Sequence, residues 1–188
     1  DAASVKSEII DAVIKTFEEA RAFVLEVKVC TLFANSGKQA YPSLWDNVDL
    51  PDKRSGEGGW GERVSAIWTW KNRLPERYPD EIFYGKVRGG HAVLMEMGYL
   101  RDPHFATAYR PAQELSSLAQ FLYDKVRFEP WDTAELRRFA VDEFGASKGQ
   151  FDTALKNLQI SLNIARANDP SAERDTWLAS SEAYHEIW

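Results

Sequence analysis

The chain has 188 residues, of which 44% are hydrophobic, 28% charged and 13% aromatic, with a net charge of −6 and a pI near 5.2. That length admits one or two compact domains with a sizeable core, and the composition excludes disordered, collagen-like and coiled-coil chains. The acidic balance argues against a strong nonspecific polyanion binder, apolar runs such as Ala92–Met95 are too short to span a bilayer, and a single cysteine, Cys30, excludes an internal disulfide framework and fits a reducing cytoplasm.

The opening Asp1-Ala2-Ala3-Ser4 carries no basic-then-apolar leader, and Ser4 is expected to cap a helix with Ile9, Ile10, Val13 and Ile14 on its apolar face. Thr16 and Glu19 read as a capping box that opens a helix with Ala20, Phe23, Val24 and Val27 on one side. Val27–Ala34 then turns β-like, with Val29, Thr31 and Phe33 alternating, until the turn Asn35-Ser36-Gly37. Residues 49–61, holding Pro51, Gly56, Gly58 and Gly59 without periodicity, read as a mobile surface loop. A helix is expected from Glu62 to Arg73, with Val64, Ile67, Trp68 and Lys71 as its apolar positions and Pro75 as its stop. Glu81–Val87 and His91–Met97 are extended runs joined by Arg88-Gly89-Gly90, which is a hairpin signal.

The last part of the chain carries three capped helices. Ser117 with Gln120 opens the first, with Leu115, Leu118, Ala119, Leu122 and Val126 on one face. Asp132 with Glu135 opens the second, which holds Leu136, Phe139 and Ala140 and ends near Gly145. Ser147 with Gln150 opens the third, with Phe151, Ala154, Leu155 and Leu158 inward. Leu162–Ala167 and Thr176–Ala179 are strand-like on either side of the turn Asn168-Asp169-Pro170-Ser171. Three short helices followed by a β-hairpin are the order of a winged helix, whose second and third helices form the helix-turn-helix. The expected architecture is α+β. An N-terminal helix/strand unit with a β-hairpin and the aromatic-basic segment covers 1–110, and a winged-helix domain packed on it covers 111–188.

On DNA the third helix would enter the major groove, presenting Lys148, Gln150, Lys156, Asn157 and Gln159, with Arg166 and Arg174 flanking the wing. Against this, residues 115–188 hold eight Lys/Arg and twelve Asp/Glu, a net of −4 that includes Asp152, Asp169, Glu173 and Asp175 near the reading surface. A protein-contact module therefore stays open beside nucleic-acid contact. The middle segment is denser in chemistry. From Trp68 to His91 five Lys/Arg meet three Asp/Glu, and Trp68, Trp70, Lys71, Arg73, Tyr84, Lys86, Arg88 and His91 interleave aromatics with bases. That pattern stacks nucleobases and holds their phosphates. Tyr84 and Lys86 share a strand face, and Gly85, Gly89 and Gly90 allow a close approach. An aromatic core with a solvated basic rim accounts for the same residues, and a small-molecule pocket in the aromatic cluster is a third reading.

The usual catalytic constellations are missing. His91, His104 and His185 lack partners at metal-ligand spacing, Cys30 sits in an apolar stretch, and neither a phosphate-cradling loop nor a dinucleotide fingerprint occurs. The residues imply no cofactor and no metal, and Glu18-Glu19 and Asp142-Glu143 read as solvated helix faces.

Three stretches carry a likeness: Tyr41-Pro42-Ser43-Leu44-Trp45, Trp68-Thr69-Trp70-Lys71-Asn72-Arg73-Leu74-Pro75 and Phe83-Tyr84-Gly85-Lys86-Val87. Together with the C-terminal winged helix they resemble the bacterial proteins related to AlkZ, over most of the chain from Thr16 onward. The resemblance implies kinship with DNA glycosylases built from tandem winged helices, which remove alkylated bases and unhook interstrand crosslinks. It also implies a catalytic motif of Gln, an apolar residue, then Gln or Asp, in the N-terminal part. Here that spelling occurs once, at Gln150-Phe151-Asp152, where capping and core packing account for it, and the N-terminal part offers only Gln39, followed by Ala40 and Tyr41. The resemblance thus implies a nucleic-acid binder without the family's motif in its usual place. In a base-flipping reaction Trp68, Trp70 and Tyr84 would stack, Lys71 and Lys86 would hold phosphate or sugar, and His91 or Glu96 would move the proton. The expected partner is DNA, with a protein partner or a second copy as the alternative and no membrane.

Overall fold

The structure is a computed structural model and describes residues 13–33, 41–169 and 174–187. It divides into two compact units. One runs to Tyr84 and includes Ala92–Tyr99, and the other holds Gly85–His91 and the chain from Leu100 onward. Each combines helices with small antiparallel strands, so the chain is α+β.

In the first unit, helix α1 (Phe17–Val27) is capped by Thr16, whose hydroxyl accepts the Glu19 amide. The Glu19 carboxylate in turn accepts from the Lys15 amide and the Thr16 hydroxyl, tying the residues before the helix to its first turn. Ala20, Phe23 and Val24 form its buried face, at the spacing a helix dictates. Strand β1 (Val29–Thr31) follows, then β2 (Ile82–Val87) and β3 (His91–Glu96), in the sheet order β1-β3-β2. The register pairs Val29 with Met95, Cys30 with Leu94 and Thr31 with Val93. Cys30 is fully buried there, and that burial pushes its thiol pKa up to about 12 against the opposing hydrogen bond at Leu94. The helix expected after Ser4 lies outside the described residues except at its end, and there it gives way: Ile14 is buried in a parallel bridge to Val48, and Val13 is exposed. The expected turn at Asn35-Ser36-Gly37 also lies outside them.

The loop before helix α2 (Glu62–Arg77) is built rather than slack. Lys53 Nζ donates to the Gly59 carbonyl at 3.1 Å, the Arg54 amide donates to Glu57 Oε2 at 3.0 Å, and Arg63 Nε donates to the Leu50 carbonyl at 2.9 Å. Gly61 touches the Lys53 backbone so closely that a Cβ would collide with it. Two expectations about α2 are corrected. It does not stop before Pro75 but runs to Arg77, because a proline in the last turn removes one ladder bond while its ring is buried in the core. Its buried face is Ile67, Trp70, Lys71 and Leu74, whereas Trp68 is exposed.

The second unit carries α3 (Ser117–Val126), β4 (Trp131–Asp132), α4 (Thr133–Phe139), α5 (Lys148–Ile160), β5 (Ile164–Arg166) and β6 (Thr176–Ala179). The cap of α3 is Ser116, one residue before the expected Ser117, and its hydroxyl accepts the Ala119 amide. Asp132 caps α4 by accepting the Ala134 and Glu135 amides. That helix passes into a π-type turn, Ala140–Phe144, which Gly145 ends at φ 78°, a left-handed conformation suited to glycine. At α5 the capping box is complete: Ser147 Oγ accepts the Gln150 amide at 3.1 Å and Gln150 Oε1 accepts the Ser147 amide at 2.9 Å. The strands pair in the order β4-β6-β5, with Trp131 opposite Trp177 and Ala165 opposite Leu178. Trp177 Nε1 donates to the Thr133 hydroxyl, which donates to the Asp175 carbonyl, each at 2.7 Å. Leu122, Leu136, Phe151, Leu158, Ile164 and Trp177 form the core of this unit. Burying each such side chain stabilises by about 1.5–3 kcal/mol. Of the expected turn at 168–171, the last two residues lie outside the described ones. No helix among the described residues is long and apolar enough to cross a membrane.

Candidate functional site

The aromatic-basic segment is sorted by burial. Trp70 is 6% exposed and Tyr84 is likewise packed in the first unit's core, so neither offers a ring face to a ligand. Trp68 is 42% exposed. Lys71, only 5% exposed, places Nζ 3.7 Å from the Trp68 ring centre and 5.4 Å from that of Tyr84, a cation held against aromatic faces. Arg73 is exposed and lies 5.5 Å from the Phe17 ring centre. Glu96 is held by structural contacts: its carboxylate accepts the Gly98 amide at 2.8 Å and the Tyr99 amide at 3.3 Å, and pairs with Lys28 at 3.4 Å.

In the second unit the hairpin tip meets α5. Gly90 has φ +83°, and a Cβ there would lie 2.9 Å from Lys156 Cδ, so the absence of a side chain lets the tip rest on the Lys156 stem. Lys86, half-buried, is held below the ordinary lysine pKa by desolvation and then by the Lys156 charge, with Asp175 and Asp152 pulling the other way. Residues far apart in sequence thus share one electrostatic neighbourhood. Arg88 is exposed and His91 partly buried on the same hairpin end. Along α5, Lys148 and Asn157 are exposed, and Asn157 lines an open groove of about 590 Å³ with Phe144, Gly145, Gly149, Gln150 and Thr153.

Two of the contact residues expected on the third helix and the wing are also not at the surface. Gln159 is buried with its amide donating to the Leu155 carbonyl, and Arg166 is buried in β5, close enough to Tyr184 to act on it electrostatically. Arg174 is exposed and pairs with Asp132 at 3.8 Å. Gln150-Phe151-Asp152 is a cap, a fully buried core ring and an ion pair to Arg137 at 3.8 Å, in that order. Gln39 and Ala40 lie outside the described residues. Among the exposed aromatics absent from the expected site, Trp60, 61% exposed, stands edge-on to Trp68 with ring centres 5.4 Å apart. Its only sequence signal is a tryptophan closing a glycine-rich loop.

A family model described as AlkZ related matches residues 14–177, most of the chain. Neither the curated proteins nor the solved structures give a match.

Proposed function

The chain belongs to the AlkZ-related family, and from that premise we propose that it binds DNA in a repair setting, with residues 111–188 as a winged-helix domain. The order helix, strand, helix, helix, strand, strand, with the short β4 pairing onto β6, supports the winged-helix reading. In it α5 is the recognition helix. Lys148 and Lys156 meet phosphates, Asn157 reaches a base edge, and the hairpin tip adds Lys86 and Arg88. The carrying observation is the hairpin tip resting on the Lys156 stem with the Lys156 charge acting on half-buried Lys86, since a desolvated cation facing a second positive charge gains from a phosphate placed beside them.

The test is binding to duplex DNA, undamaged and alkylated, at two salt concentrations. Wild type is expected to bind with steep salt dependence and to prefer the damaged duplex. Replacing both Lys86 and Lys156 with Ala is expected to flatten the salt slope by about 2, one unit per lost phosphate contact. A double variant that binds like wild type overturns the assignment. No catalytic residue is assigned, and base release from an alkylated duplex reads whether chemistry follows binding. A second reading, a protein-contact module, is favoured by exposed Phe128, Val141 and Phe144 on the second unit, and gains if no DNA binds at low salt.

A further inference from the structure

Trp60 and Trp68 lie outside the hydrophobic core of the first unit, yet neither is loosely held. The backbone that carries Trp60 is fixed by the Lys53–Gly59 hydrogen bond, by the amide of Arg54 on Glu57, and by the close approach of Gly61 to Lys53. Trp68 then buttresses the indole edge-on, with ring planes at 64°, and is itself anchored over the buried Lys71 ammonium. A loop that orders its own backbone and leaves 61% of a tryptophan in water is presenting that ring. The loop's acidic side chains are turned to its own frame: the Asp52 carboxylate accepts the Lys53 amide and that of Glu57 accepts the Arg54 amide. Two cations are placed at the ring pair: Lys53, whose ammonium bonds the Gly59 carbonyl next to Trp60, and Lys71 over the Trp68 ring, while Arg54 follows Lys53 in the same loop.

We infer that Trp60 is a stacking platform for an unpaired nucleobase, buttressed by Trp68, with Lys53 and Arg54 meeting the adjoining phosphates. An open indole face beside cations is the arrangement that holds single-stranded nucleic acid without reading its sequence. Ring centres 5.4 Å apart leave no room for a base between the two indoles, so the base lies on the outer face of Trp60. This inference rests on the DNA-binding reading above, but uses residues of the other unit.

The experiment compares three probes: a fully paired duplex, the same duplex with one unpaired nucleotide, and a single strand. Trp60→Ala is expected to weaken binding of the last two by roughly tenfold, the cost of one lost stacking contact, and to leave the paired duplex unchanged. Trp60→Phe is expected to keep most of the affinity. Because Trp60 is exposed, unchanged circular dichroism and melting temperature establish that the variant is folded. Equal loss on all three probes, or no loss on any, overturns the inference while leaving the Lys86–Lys156 reading in place. Wild-type protein that binds none of the probes overturns both.

Discussion

A lysine whose folded pKa lies below its unfolded value costs stability wherever it is charged in both states, and that cost fades as the pH rises through the lowered value. Lys86 is such a residue, depressed first by burial and then by Lys156, with Asp175 and Asp152 acting in the opposite sense. Lys86→Gln is therefore expected to raise the melting temperature at neutral pH. Its advantage is expected to shrink as the pH approaches the ordinary lysine range, and a variant no more stable than wild type at pH 7 contradicts the assignment. The same linkage bears on binding. A phosphate at the pair raises the pKa of Lys86, so DNA binding at alkaline pH is expected to take up protons, visible as a binding heat that depends on the buffer.

Among the elements, α5 depends on its first turn. Ser147→Ala removes the acceptor for the Gln150 amide and is expected to cost about 1 kcal/mol in denaturant unfolding. Gly90→Ala puts a Cβ at positive φ and against the Lys156 stem, so it is expected to lower stability by at least about 1 kcal/mol and to weaken DNA binding together. These devices were legible because they are local: Thr16 with Glu19, Asp132 with Glu135, Ser147 with Gln150, and the glycines between β2 and β3 each act over three or four residues. The face of α2 was harder to read. Trp68 and Trp70 are about 200° apart around a helix, so only one of them packs inward. A run of aromatics hides which one, while Ile67 and Leu74 at heptad spacing decide it in favour of Trp70. Pro75 misled because local propensity forbids what buried packing allowed. Gln159 and Arg166 read as contact residues by type, but their positions on α5 and β5 face the core. The candidate site was legible in its residue types and not in its grouping, since nothing in sequence separation tells that Gly90 rests on Lys156 or that Trp60 stands against Trp68.

For the whole molecule, a net charge of −6 sets a repulsive field against DNA, so the proposed binding has to be carried by local cations. With Lys86, Arg88, Lys148 and Lys156 each engaging one phosphate, the logarithm of the binding constant is expected to fall against the logarithm of salt with a slope of about −3 to −4. A slope near zero in a salt titration would argue for a contact that owes nothing to the backbone charge. The lone cysteine adds a consequence of another kind. Cys30 sits midway along β1, opposite Leu94, its thiol sealed and kept protonated by burial. With no second thiol anywhere in the chain, a labelling reagent has one address, and it is reached only when that sheet comes apart. The rate of labelling is then a stopwatch for the opening of the first unit, carried by the natural sequence without any added probe.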